Sequence, residues 1–170
     1  MDDYKSRLLD ITEYLKANSL LLSTAESCTA GQMISLLASV AGAGQLLESG
    51  YVVYSPGAKQ RILHVSAKTI KEHGLTSEEV ALEMAHRALK GGLANIAIST
   101  TGVAGPDSID GIESGTVCIA WLFSLQRGCA AFSHTRHFDG DRLDVQIAAS
   151  IYALEQLQRL HGKALSGEGR

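Results

Sequence analysis

Apolar positions along the chain follow two spacings, and each spacing predicts a different kind of element. Over residues 3–17 they recur every three or four positions, the period of an amphipathic helix. Leu20–Leu22 then form an unbroken apolar run, typical of a strand covered on both faces, which predicts a strand at 20–24. Helical spacing returns at 32–39. The first helix is expected to turn these side chains inward: Leu8, Leu9, Ile11, Tyr14 and Leu15.

The rest of the chain continues this alternation and then changes. Thr76 and Glu79 have the spacing of a capping box, which predicts a helix whose N-cap is Thr76. Two strands near the end of the chain are separated only by a turn at Arg127–Gly128, which predicts a hairpin. The other elements expected after residue 40 are strands at 46–54, 94–101, 116–123 and 130–138 and helices at 58–63, 66–73 and 141–160.

This order of elements predicts the fold class. Helices alternate with strands early and a hairpin comes late, as in an α/β fold built as a three-layer α/β/α sandwich with a mixed β-sheet. The length suits a single domain, expected over 1–163, with a disordered tail at 164–170. Ligand sites of such folds lie in loops at the carboxyl ends of strands. Residues 24–31, 54–59 and 102–115 are therefore the segments to search for a site.

Charge and cysteine content exclude several classes of function. The net charge is −3 and no cluster of Lys and Arg is present, which argues against nucleic acid as a partner. No signal peptide and no apolar run of membrane-spanning length is present, so we expect a cytoplasmic protein with no membrane partner. Cys28, Cys118 and Cys129 have no metal-type spacing, and neither a disulfide framework nor a metal is expected. Cys118 and Cys129 should be buried.

Catalytic chemistry is suggested by the hydroxyl-rich turn between the first strand and the second helix. N–H groups at a helix start are unpaired and favour developing negative charge, so Cys28 to Gly31 could bind an oxyanion beside a nucleophile. Ser27 and Cys28 both carry nucleophilic atoms, and their residue types alone do not decide between them. The alternative is that the turn only caps the helix.

A nucleophilic serine needs a base, and Lys59 is the candidate. A lysine stripped of water has a lowered pKa, and Tyr54 at a strand end could relay or donate a proton. His64, His73 and His86 fall on predicted helices, where solvated or structurally satisfied histidines are the simpler interpretation.

Six sequence segments follow one another in an order that resembles a known family. They are Thr24–Gly31, Tyr54-Ser55-x-x-x-Lys59, Ser77–Val80, Thr101–Pro106, Gly115–Val117 and Phe138-x-Gly140-Asp141-Arg142. Together they resemble the CinA C-terminal domain family, the nicotinamide-nucleotide amidases also called NMN deamidases, from about residue 5 to residue 160.

The resemblance implies hydrolysis of the carboxamide of nicotinamide mononucleotide (NMN), giving nicotinate mononucleotide and ammonia. Ser27 would be the nucleophile, and Lys59 and Tyr54 match the catalytic positions of the family. The implied partner is a small-molecule nucleotide, with no cofactor. The sequence leaves the oligomeric state open, and a homo-oligomer, in the simplest case a dimer, is one of the alternatives.

Substrate-binding candidates surround these three residues, and several have two interpretations. Glu26 either orients Lys59 or the amide, or complements the helix dipole. Thr29 is a helix-start hydroxyl or a catalyst, and Arg142 binds the phosphate or forms a surface ion pair. The candidates are Glu26, Cys28, Thr29, Ala30, Gly31, Thr101, Gly102, Gly105 and Arg142.

The loop at 105–115 departs from the family pattern. It lacks the usual double glycine and Lys-Pro pair and carries Asp107, Asp110 and Glu113 instead, while Gln146 stands where an arginine is frequent. Loss of glycines that permit close approach to a ligand could reshape the pocket. An inactive or substrate-shifted paralogue, acting as a nucleotide- or partner-binding module, is therefore the alternative function.

Overall fold

The computed structural model describes residues 4–169, which fold into helices and strands in the predicted alternation. No helix in this range is both long and apolar enough to span a bilayer. The elements are α1 (Lys5–Ala17), β1 (Leu22–Glu26), α2 (Gln32–Ala38), a 3-10 helix (Ala43–Leu46), β2 (Leu47–Val52), α3 (Pro56–Leu63), α4 (Ala67–His73), α5 (Glu78–Lys90), β3 (Ile96–Gly102), β4 (Thr116–Leu125), β5 (Gly128–His137) and α6 (Arg142–Leu165).

One five-stranded sheet runs through the centre in the order β2-β1-β3-β4-β5. The first three strands are parallel, whereas β4 and β5 are antiparallel and form the predicted hairpin. The sheet is therefore mixed, as the sequence predicts. Its parallel half brings the carboxyl ends of β2, β1 and β3 to one edge.

Strand side chains alternate between two cores, one on each face of the sheet. Ile98 and Trp121 point towards α1, α2 and α6, and the Trp121 indole donates to the carbonyl of Ala153. Ala97 and Ala120 point to the opposite face, where α5 packs with small side chains. Helices thus cover both faces, which confirms the three-layer sandwich.

Several local expectations are wrong for identifiable reasons. Ser77, not Thr76, caps α5, because the Ser77 hydroxyl accepts from the backbone of Val80. Leu9 is exposed, since it lies about 100° around α1 from its buried neighbour Leu8.

Two further expectations are wrong, the burial of Cys129 at the sheet edge and the position at which the last helix ends. Cys129 is exposed rather than buried, because it opens β5, the outermost strand. α6 extends to Leu165, so Ala164 and Leu165 of the expected tail belong to its last turn, and Ala164 is buried.

Candidate active site

The carboxyl ends of the three parallel strands bring the predicted chemistry together. Ser27 directly follows β1, and its N–H donates to Thr100 of β3 at 3.0 Å. On the other side, the N–H of Val53 donates to the carbonyl of Glu26 at 2.9 Å. Strand pairing on both sides therefore fixes the backbone around Ser27.

The start of α3 delivers Lys59 to the same place. Ser55 caps this helix through a bond from the Ala58 N–H, and Pro56 occupies its first turn. Side chains of a helix tilt towards its N-terminus, so Lys59 reaches back over the strand ends. Its Nζ lies 2.7 Å from Ser27 Oγ.

The Lys59 amine is nearly sealed from water and lies in neutral surroundings. Its residue is 2% exposed, and Ser27 is 6% exposed. Besides the Ser27 hydroxyl, Nζ donates to the carbonyls of Val53 and Tyr54, at 3.2 and 3.4 Å. Burial penalises the ammonium form and lowers the pKa of Lys59 from its usual 10.5. The geometry thus places an amine with a lowered pKa beside the Ser27 hydroxyl.

Cys28, the rival nucleophile, has the opposite character. Its side chain is buried, and this burial raises the pKa of Cys28 to about 12. The reactive form of a cysteine is the thiolate. Cys28 therefore stays a protonated thiol at neutral pH, which favours Ser27 as the nucleophile.

Glu26 is fully buried, and its carboxylate binds the start of α2 rather than Lys59. Its carboxylate accepts from the N–H groups of Gly31, Met33 and Ile34 at 3.0–3.1 Å and from the Thr29 hydroxyl at 2.7 Å. These contacts support the helix-dipole interpretation and leave no bond between Glu26 and Lys59.

The Thr29 hydroxyl also forms hydrogen bonds within the protein. It lies 2.7 Å from the hydroxyl of Thr100 while donating to Glu26, and its residue is 1% exposed. Thr29 is therefore a structural link between the turn and β3, as the helix-start interpretation holds.

Two of the four N–H groups predicted to bind an oxyanion already have partners within the protein. The Ala30 N–H donates to the carbonyl of Ser27, and the Gly31 N–H is taken by Glu26. The N–H groups of Cys28 and Thr29 remain as candidates. Gln146 of α6 donates to the Cys28 carbonyl at 2.9 Å, which fixes the orientation of this turn.

A cavity of about 340 Å³ opens above Ser27 and Lys59. Glu26, Thr29, Ala30 and Gly31, predicted to bind substrate, belong to the end of β1 and the turn before α2 and do not line it. The predicted residues that line it are Ser27, Cys28, Tyr54, Lys59, Thr101, Gly102, Gly105 and Arg142.

Tyr54 and Arg142 meet at the cavity. The Arg142 guanidinium donates to the Tyr54 phenol oxygen at 3.0 Å, while the Tyr54 carbonyl accepts from Lys59. The phenol is therefore bonded to Arg142 and not to the Lys59 amine. Among residues 4–169, no carboxylate pairs with Arg142, so the alternative of a surface ion pair has no partner there.

Thr101 and Gly102 shape the wall of the cavity. The Thr101 hydroxyl donates to the carbonyl of Leu75 at 2.8 Å, tying β3 to the loop before α5. A Cβ at Gly102 would collide with the backbone of Thr116, so glycine is required by the close approach of β4. Both residues therefore have structural roles beside any contact with a ligand.

Sequence reasoning missed a second wall of the cavity. His73 at the end of α4 and Leu75 and Thr76 in the following loop line it, and His73 Nδ1 lies 3.7 Å from a Glu79 carboxylate oxygen. The Ser77–Val80 motif directly follows these residues and was the available signal. Within residues 4–169, no group of three His, Cys, Asp or Glu side chains is arranged to hold a metal.

Known proteins have sequences similar to this chain over most of its length. A relative from Escherichia coli K12, named nicotinamide-nucleotide amidohydrolase PncC, is 38% identical over 157 residues, covering 89% of this chain and 93% of that protein. A protein of the same name from Enterobacter agglomerans is 32% identical over 151 residues, covering 89% and 91%.

Solved structures agree with the sequence comparison. The competence/damage inducible protein CihA from Agrobacterium tumefaciens matches with a TM-score of 0.86 at 32% identity, covering 95% of this chain and 97% of that one. A CinA superfamily protein from Escherichia coli matches with a TM-score of 0.81 at 35% identity, covering 90% of each chain. The sequence model described as CinA C-terminal domain matches residues 5–161. The chain therefore belongs to the CinA C-terminal domain family.

Proposed function

We propose that this chain is a nicotinamide-nucleotide amidohydrolase that converts NMN to nicotinate mononucleotide and ammonia. The observation that carries the proposal is the buried contact between Ser27 Oγ and Lys59 Nζ at the base of a ligand-sized cavity. The names of the Escherichia coli and Enterobacter relatives supply the substrate.

Acylation begins with neutral Lys59 taking the proton of Ser27 as Oγ attacks the carboxamide carbon. The carbonyl oxygen becomes an oxyanion, for which the Cys28 and Thr29 N–H groups are the available donors. One such donor contributes roughly 3 kcal/mol in other hydrolases. The pyridinium ring withdraws electrons from the carbonyl carbon and assists the attack.

Collapse of the tetrahedral intermediate breaks the C–N bond. Protonated Lys59 gives its proton to the amide nitrogen, ammonia leaves, and the nicotinoyl group remains on Ser27 as an ester. Lys59, neutral again, takes a proton from water, whose oxygen attacks this ester. The Ser27 alkoxide then recovers the proton from Lys59, and nicotinate mononucleotide departs.

Arg142 is proposed to bind the phosphate of the substrate. Tyr54 touches Lys59 through its carbonyl and Arg142 through its phenol, so about one tyrosine side chain separates the base from the guanidinium. In NMN the carboxamide and phosphate likewise lie at opposite ends of the ring and ribose. Tyr54 accepts from Arg142, so its own O–H proton stays available to a substrate oxygen.

The loop at 105–115 supports a second candidate, a non-catalytic or substrate-shifted module. It places Ile109, Asp110 and Ile112 on the cavity lining, where they could reshape nucleotide recognition. Such a module would be stabilised against heat by NMN without releasing ammonia.

Product analysis separates the two candidates. Purified protein is incubated with NMN, and ammonia and nicotinate mononucleotide are quantified together with the melting temperature. Release of both products in equal amounts supports the amidohydrolase. A raised melting temperature without product favours the binding module.

A further inference from the structure

We infer that Asp110 is a specificity-determining residue that recognises the positive charge of the pyridinium ring of the substrate. The inference rests on the proposed function and deepens it. The loop at 105–115, whose sequence departs from the family pattern, thereby helps to select charged over neutral nicotinamide nucleotides.

Asp110 is held at the tip of a tight turn. Ile109 and Ile112 exchange two backbone hydrogen bonds, of 3.1 and 2.9 Å, on either side of Asp110 and Gly111. Both central residues have positive φ, +52° and +76°, as in the two-residue turn that Asp-Gly favours. The position of the Asp110 backbone is therefore defined by the turn.

This turn brings one exposed acidic residue to the lining of the cavity. Asp110 lines the same cavity as Lys59 and Arg142, and among the residues of the described range it is the one acidic residue that does so. No cation in residues 4–169 is paired with it. Its charge is thus available to a ligand.

The charges around the cavity complement a zwitterion. Arg142 presents a cation and Asp110 an anion, while NMN carries a phosphate and a cationic ring. The ring must lie near Lys59 when its carboxamide reaches Ser27, and an anion on the lining of the same cavity attracts its positive charge. Asp110 supplies that anion without contacting the reacting atoms.

Reduced NMN isolates the charge of the ring. Its dihydropyridine ring is neutral, whereas its carboxamide, ribose and phosphate are those of NMN. We expect the protein to bind NMN more tightly than reduced NMN, and Asp110 to account for part of this preference.

The test compares Asp110→Asn with Asp107→Asn. Asparagine adopts positive φ readily, so Asp110→Asn removes the charge and keeps the turn. Asp107 lies on the same loop, is exposed and does not line the cavity, which makes it the matched control. Dissociation constants for NMN and reduced NMN are measured by calorimetry, and KM and kcat for NMN by ammonia release.

For Asp110→Asn we expect a two- to five-fold rise, about the strength of an exposed ion pair, in the dissociation constant and KM for NMN. Binding of reduced NMN and kcat should change little, and Asp107→Asn should match the wild type. Equal weakening of both ligands, or no change for NMN, overturns the inference. Wild-type protein that binds NMN without releasing ammonia contradicts the proposed function instead, and the binding comparison then still decides the role of Asp110.

Discussion

Lys59 Nζ lies 2.7 Å from Ser27 Oγ, although the two residues belong to different β–α units. Ser27 follows β1, and Lys59 lies in α3, after β2. The remaining contacts of Nζ are two main-chain carbonyls, and among the described residues no carboxylate is bonded to it. The fold therefore withholds the partner that would keep this lysine charged.

The first prediction concerns pH. Only neutral Lys59 can accept the Ser27 proton, so kcat/KM should rise with pH as Lys59 loses its own proton. Because burial lowers the pKa of Lys59, the midpoint of this limb should lie below the pKa of an exposed lysine. Bound substrate adds a pyridinium charge that disfavours the ammonium form, so the limb in kcat should lie at lower pH still. Initial rates of ammonia release over a range of pH measure both limbs.

Lys59→Arg is the control for this assignment. Arginine keeps the positive charge but cannot lose its proton, so the variant should be inactive at every pH tested. A variant that retains the wild-type profile would remove Lys59 from the role of base.

The second prediction concerns the phosphate. Arg142→Gln should raise KM for NMN by about ten- to a hundredfold, the range for losing a charged hydrogen bond of about 1.5–3 kcal/mol. Nicotinamide riboside, which lacks the phosphate, should react equally with the wild type and the variant. Arg127→Gln, in the β4–β5 turn and away from this cavity, should leave both substrates unaffected. An equal loss for both substrates would mean that Arg142 supports the site in another way.

The third prediction concerns Glu26. Its carboxylate accepts four hydrogen bonds, and the amide of a glutamine would set N–H groups against some of these donors. Glu26→Gln should therefore lower the free energy of unfolding by about 2–3 kcal/mol. Urea unfolding measures it, with the exposed Glu13→Gln as a control expected to lie within about 0.5 kcal/mol of the wild type. If the stability of Glu26→Gln is unchanged, the carboxylate is not needed to hold α2.

The sequence predicted the layered fold because hydrophobic spacing is a local pattern, and the family resemblance singled out Ser27 and Lys59, which the structure places side by side. The apolar run at Leu20–Leu22 located β1, yet the strand lies two residues later, at Leu22–Glu26. Its polar residues were misleading: Ser23 is bonded to Ser49 and Glu26 to α2, so they are buried without penalty. Hydropathy alone cannot anticipate such partners.

Contacts between distant elements decide the alternatives that the sequence leaves open in the site. Whether Glu26 faces Lys59 or α2 depends on how the turn after β1 folds, and both choices are compatible with its residue type. The sequence predicts that the Tyr54 phenol relays or donates a proton, and in the structure this phenol is bonded to Arg142, 88 residues later in the chain. No local pattern links the two.

The central claim is that Ser27 is the nucleophile and forms an ester with the substrate. The decisive measurement is ammonia release from NMN by wild-type protein, Ser27→Ala and Cys28→Ala under identical conditions. The account predicts no detectable turnover for Ser27→Ala and turnover within tenfold of the wild type, roughly 1.4 kcal/mol in the barrier, for Cys28→Ala. Turnover that persists in Ser27→Ala, or disappears only in Cys28→Ala, would contradict it.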